Sequence, residues 1–147
     1  MEKLSIFLGG TCGSSTWRNK LLPMLNKYCN AFNPVVENWT EECQAIEDWH
    51  KKNDDLNLFV ITPESNSTYS LFEIGCEASK HANRTVVCFL NDENGSTFDG
   101  QQLKSIKKMT KDLKNMGVAV YDNLDELAAD LNRFAEFKAN KDCEECK

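Results

Sequence analysis

Short apolar runs alternate along this chain with segments of helical period, and that alternation restricts the fold more than any other feature. Leu4-Ser5-Ile6-Phe7-Leu8 reads as a buried strand ended by Gly9-Gly10. Leu21, Leu22, Leu25, Tyr28 and Cys29 predict a helix over about 15–29. Ala31 to Val36 is strand-like and carries Pro34. Thr40 suits a helix N-cap with Cys43 in the third helical position, half of a capping box, ahead of a polar helix to about Lys52. Leu56 to Thr62 predicts a strand stopped by Pro63, and Leu71, Ile74, Gly75 and Ala78 mark a helix face. Thr85 to Leu90 is the most continuous apolar run and reads as a central parallel strand. Asn91 to Gly100 reads as a polar loop. Leu103, Ile106 and Leu113 predict a helix and Val118 to Tyr121 a strand. After Asp122 comes an amphipathic helix through Leu124, Leu127, Ala128, Leu131 and Phe134, with Phe134 expected in the core.

Five strands that each lead into a helix form a parallel sheet with right-handed crossovers. In 147 residues the expected architecture is α/β, a flavodoxin-like three-layer sandwich with a five-stranded sheet of order 2-1-3-4-5. The length predicts one domain over residues 1–138, followed by a flexible C-terminal tail at 139–147. Ligands in such sheets bind at the carboxyl ends of the strands, beside the switch point between the first and third. That points to three segments: residues 9–18, 33–40 and 62–75.

Composition narrows the function classes. A net charge of −6 argues against a dedicated nucleic-acid surface. No apolar run is long enough to span a membrane, and the apolar stretch after Met1 is too short for a signal peptide. Seven cysteines without a secretion signal imply reduced thiols and a cytoplasmic protein. Cys143 and Cys146 have CxxC spacing, but no second pair of ligands accompanies them, so no metal site is expected. The N-x-S/T triplets at Asn38, Asn66, Asn83 and Asn94 are chance matches in that setting.

The three loops hold the unusual residues. Gly9-Gly10-Thr11-Cys12-Gly13-Ser14-Ser15-Thr16-Trp17-Arg18 is small, hydroxyl-rich and leads into a helix N-terminus, which favours an anion. Arg18 would add a bidentate clamp on phosphate or carboxylate. Trp17 alone reads as a packing residue. The second loop brings Asn33, Glu37, Asn38 and Trp39 together at a strand end, which suits a planar base, or else a turn with a packing lid. In the third, Glu73 sits among Leu71, Phe72 and Ile74. A semi-buried carboxylate there is a candidate nucleophile or acid/base group, although a Glu near a helix N-terminus also serves the dipole. Gly75 would let a backbone or ligand approach closely.

Phe7-Leu8-Gly9-Gly10-Thr11-Cys12, Ser15-Thr16-Trp17-Arg18, Asn33 to Thr40 and Phe59-Val60-Ile61-Thr62-Pro63, in that order and spacing, resemble the nucleoside 2-deoxyribosyltransferase-like family. Phe72-Glu73-Ile74-Gly75 is similar to its E-x-G motif. The resemblance runs over about residues 4–90. It implies N-glycosidic bond chemistry without a cofactor. Glu73 would attack C1′ of a nucleoside or nucleotide, and a second base or water would then take the sugar. The family also implies an acidic residue before the third strand, with Glu47, Asp48, Asp54 and Asp55 as candidates and Glu47 favoured. Ser67 stands where transferases carry Asp and nucleotide hydrolases carry Ser, which leans toward a phosphate contact. A first-loop Tyr common in relatives is absent, leaving Thr11, Trp17 or Tyr69 to replace it. Gly9, Gly10, Thr11, Trp17, Arg18, Asn33, Asn38, Trp39, Ser67 and Tyr69 form the implied substrate-binding set. Relatives are dimers or larger, which implies a homo-oligomer. The alternatives are a nucleotide-binding module that has lost the chemistry and a TIR-like NAD-cleaving domain.

Overall fold

A computed structural model describes residues 1–145. The chain runs through β1 (Leu4–Gly10), α1 (Trp17–Leu21), β2 (Cys29–Phe32), α2 (Glu41–Asn53), β3 (Leu56–Ile61) and α3 (Thr68–His81). It continues through β4 (Thr85–Phe89), β5 (Asp92–Glu93), β6 (Ser96–Thr97), α4 (Gly100–Asn115), β7 (Ala119–Tyr121) and α5 (Leu124–Glu145). The main sheet has the order β2-β1-β3-β4-β7, and every pairing in it is parallel. Counting only its own strands, that is the expected order 2-1-3-4-5 in a three-layer α/β sandwich consistent with the flavodoxin-like fold.

Strand periodicity divides the core between the two faces. Leu4, Ile6, Leu8, Leu58 and Val60 point toward α1 and α5, where Trp17, Leu21, Leu127 and Leu131 meet them. Phe7, Phe59, Ile61, Val87 and Phe89 point the other way, onto Ile74 and Ala78 of α3 and Ile106 and Leu113 of α4. β3 and β4 are buried along their whole length because both faces are covered. α2 is different. It is N-capped by Thr40, whose Oγ1 accepts the Cys43 N–H at 3.3 Å, yet none of its residues is buried. The ring of His50 stacks on Phe32 of β2, with centroids 3.7 Å apart. Ile46 and Trp49 are left exposed. No helix among the described residues is long and apolar enough to cross a membrane.

Five details depart from the sequence expectations. The helix expected over 15–29 ends at Leu21 and passes into a 3-10 turn at Leu22–Met24. Pro23 is the cause, since it has no N–H to continue the ladder and its ring crowds the preceding turn. β2 stops at Phe32 rather than Val36. There the Asn33 side chain accepts the Val35 N–H at 3.1 Å and Pro34 offers no donor to a sheet. The 91–100 loop contains the β5–β6 hairpin, turned by Asn94 and Gly95 with φ of 51° and 85°. Asn-Gly is the preferred pair for such a turn. Phe134 is exposed rather than core, because the inward stripe of α5 runs through Leu127, Leu131, Ala135 and Ala139. α5 also continues to Glu145, so the segment expected as a tail from Ala139 is helical to that point, and Ala139 is buried. The side chains of Cys143 and Cys146 lie outside the described residues.

Candidate active site

β1 and β3 end beside each other, with Gly10 opposite Val60, and the chain leaves them in opposite directions. The space between opens as a cavity of about 760 Å³ walled by the ends of β1, the 34–39 loop, α2 and the first turns of α3. α2 contributes Gln44, Glu47, Asp48 and Lys51. Their three- and four-residue spacing places them on one helical face. α3 contributes Tyr69, Ser70 and Glu73 from its first two turns, with Asn66 and Ser67 just before it.

Glu73 meets Lys51 across this space. Lys51 Nζ lies 2.6 Å from Glu73 Oε2, and the two side chains are only 20% and 16% exposed. Lys51 also lies 3.9 Å from Asp48 and over the Phe7 ring, 5.6 Å from its centroid. Burial alone would lower the lysine pKa. The hydrogen bond to Glu73 and the charges of Glu73, Asp48 and Glu47 outweigh that and hold it above the usual range.

Of the sequence-predicted residues, Gly9, Gly10, Arg18, Trp39, Glu47, Ser67, Tyr69 and Glu73 line the cavity. Thr11, Trp17, Asn33 and Asn38 do not. Trp17 is fully buried and its indole N–H donates to the Thr11 carbonyl at 2.9 Å, so it packs the core. The Thr11 hydroxyl lies 2.5 Å from that of Ser67 and accepts the Thr62 N–H at 2.9 Å, joining the first loop to the third. Asn33 is spent on its own turn. Of the four acidic candidates before β3, Glu47 and Asp48 face the cavity. Asp54 pairs with His50 at 3.0 Å, and Asp55 pairs with Lys138 at 2.8 Å and accepts the Ser5 N–H.

Arg18 does something other than clamp an anion. Its Nε and Nη2 donate to the Leu8 carbonyl at 3.2 and 3.0 Å, and its Nη1 to the Thr11 carbonyl at 2.8 Å. The guanidinium, buried and stacked on Trp17, braces the chain where it leaves β1. Carbonyls have taken the fork that a phosphate would use.

Lys51 is the main residue that sequence reasoning missed. A lysine in a polar helix reads as solvated, and the signal was its spacing from Gln44, Glu47 and Asp48. Glu93 is the second. It is a buried carboxylate on the hairpin that accepts Ser15 Oγ at 2.6 Å, Thr62 Oγ1 at 2.8 Å and the Thr16 N–H at 3.1 Å. It therefore pins the first and third loops from behind. Burial would raise its pKa, but the hydrogen bonds from Ser15, Thr62 and Thr16, with Lys20 nearby, outweigh that and hold it below the ordinary glutamate value. A depressed folded-state pKa stabilises above the unfolded pKa, and that stability is lost as pH falls through the folded value. Glu93→Gln should therefore cost about 1–3 kcal/mol at pH 7. Urea unfolding should show the gap to wild type narrowing as pH falls below about 4.5. A gap that stays constant from pH 7 to pH 3 would contradict this role.

A parallel α/β sandwich with a carboxylate at the switch point beside an acidic helix face defines a small-molecule site of the kind such sheets carry. The chain belongs to the nucleoside 2-deoxyribosyltransferase-like family, whose sequence profile matches residues 3–92, more than half of the chain and every wall of the cavity. A search of curated proteins returns no match. Family membership supports a function in glycosyl transfer and the binding of a nucleoside.

Proposed function

We propose that this protein cleaves or transfers at the N-glycosidic bond of a (deoxy)nucleoside or nucleotide, with Glu73 as the nucleophile. The supporting observation is a shielded Glu73 carboxylate in the cavity wall, within the segment that matches the family. One carboxylate oxygen attacks C1′. The C1′–N bond breaks with its electron pair going to the base, which also gains a proton, and the sugar remains as an ester on Glu73. Water or a second base then attacks C1′, and the carboxylate leaves as it was. Glu47, one helical turn from Lys51 on α2, is the group assigned to the sugar hydroxyls and the departing base. A 5′-phosphate would find its donors at the start of α3, where Ser67 and Ser70 face the cavity and no acidic side chain occupies the first turn.

The test is a panel of nucleosides, 5′-monophosphates and NAD-like compounds, with and without an acceptor base, resolved by chromatography. Base release from at least one substrate is expected. Release from none would overturn the assignment, and thermal stabilisation without product would mark a binding module instead.

We also propose a homo-oligomer that covers the cavity mouth. Val35, Val36, Trp39 and Tyr69 of the cavity wall, Ile46 and Trp49 of α2 and Phe72 of α3 are all about half exposed or more. That concentration is unusual for a surface left in water. Sedimentation should find a species at least twice the 16.7 kDa chain mass. A monomer at every concentration tested would refute it.

A further inference from the structure

We propose that Lys51 is the positioning residue of the nucleophile, holding the Glu73 carboxylate in the cavity wall in the orientation needed for attack. This rests on the role assigned to Glu73 above. The pair is anchored in a way that a surface ion pair is not. Lys51 Nζ reaches Glu73 Oε2 at 2.6 Å, and no other side chain is hydrogen-bonded to that carboxylate among the described residues. Behind the pair, the Lys51 carbonyl accepts Asn57 Nδ2 at 2.9 Å and Arg84 Nη2 at 3.0 Å. Asn57 is fully buried in β3, and the same amide nitrogen donates to Glu77 Oε2 at 3.1 Å, one turn beyond Glu73 on α3. Lys51, Asn57, Glu77 and Glu73 thus close a ring that ties α2 to α3 directly behind the reacting group.

The charges around the pair explain why an ammonium is needed. From α2, Glu47 and Asp48 face the cavity; from α3, Glu77 lies one turn behind; Cys12 and Arg18 line the β1 side and Tyr69 the mouth. Arg18 is braced on carbonyls and within the field of Glu47, and Lys51 is the cation in direct contact with Glu73.

The test reads Glu73 directly. Protein carrying carbon-13 in its glutamate side-chain carboxyls is observed by NMR at pH 7, with the Glu73 signal identified by its absence from Glu73→Gln. Lys51→Met should displace the Glu73 carboxyl signal, and Lys51→Arg should keep it near wild type. Lys51→Gln serves as a second neutral variant if Lys51→Met does not fold. In turnover, kcat should fall about ten- to a hundredfold in the neutral variant while KM changes less, and Lys51→Arg should recover most of the loss. An unchanged Glu73 signal in a folded neutral variant overturns the proposal. A wild type that releases no base overturns the assigned function instead, and the Glu73 signal then still decides whether Lys51 holds the carboxylate.

Discussion

Glu73→Gln should lower base release by about 10³-fold or more, which is about 4 kcal/mol of lost transition-state stabilisation, while leaving the protein folded. The amide has nearly the shape of the carboxylate but offers no charged oxygen to C1′, so the first bond cannot form by the same route. The fold should tolerate the change because Glu73 sits at the cavity wall rather than in either core cluster. Its ionic partner Lys51 keeps partial access to water. The loss should fall on kcat and kcat/KM alike, because the contact removed is made in the transition state. Mass spectrometry of wild type during turnover should show a species heavier by one sugar, with the adduct on the peptide containing Glu73, and the variant should show none. Activity within tenfold of wild type in Glu73→Gln would mean that another group attacks, or that water attacks directly.

How much of this was legible in the sequence depends on what kind of force sets each feature. The sheet was legible because burial on two faces leaves a mark: β3 and β4 are mostly apolar, with Asn57 and Thr85 the polar exceptions, and the helices between strands force parallel pairing. The shielded place of Glu73 in the cavity wall was legible because Leu71, Phe72 and Ile74 flank it. Arg18 was visible but its carbonyl partners were not, since the same guanidinium fork fits a phosphate or a pair of backbone carbonyls. Only the fold brings the Leu8 and Thr11 carbonyls into its reach. Lys51 and Glu93 matter through partners distant in sequence: 22 residues on for Lys51, and 31 to 78 residues back for Glu93. No local pattern encodes such pairs. Pro23 and Asn94-Gly95 were local signals, and each overrode the apolar or polar character of its surroundings.

Gly10→Ala should destabilise the protein by on the order of 4 kcal/mol, although the change adds one methyl group. Gly10 has φ of +115°, a conformation that L side chains rarely adopt. A Cβ there would sit 2.1 Å from the Val60 carbonyl oxygen and 2.6 Å from its nitrogen. Those atoms are backbone in the central strand, and the same carbonyl accepts the Thr11 N–H at 2.9 Å. Relief would require β1 to part from β3 at the point where the cavity begins. A side chain could not turn aside as it can at Gly9, where the neighbour is the Phe59 ring. A domain of this size loses about 2–4 °C of melting temperature per kcal/mol, so a drop of about 10 °C is expected, with the soluble yield falling too. Gly75→Ala is the matched control. Its Cβ meets nothing within 4 Å inside a regular helix, and it should hold or raise the melting temperature, since glycine is a poor helix former. Equal melting temperatures for the two variants would show that the sheet gives way at Gly10. The tight seam between β1 and β3 would then not be what shapes the floor of the cavity.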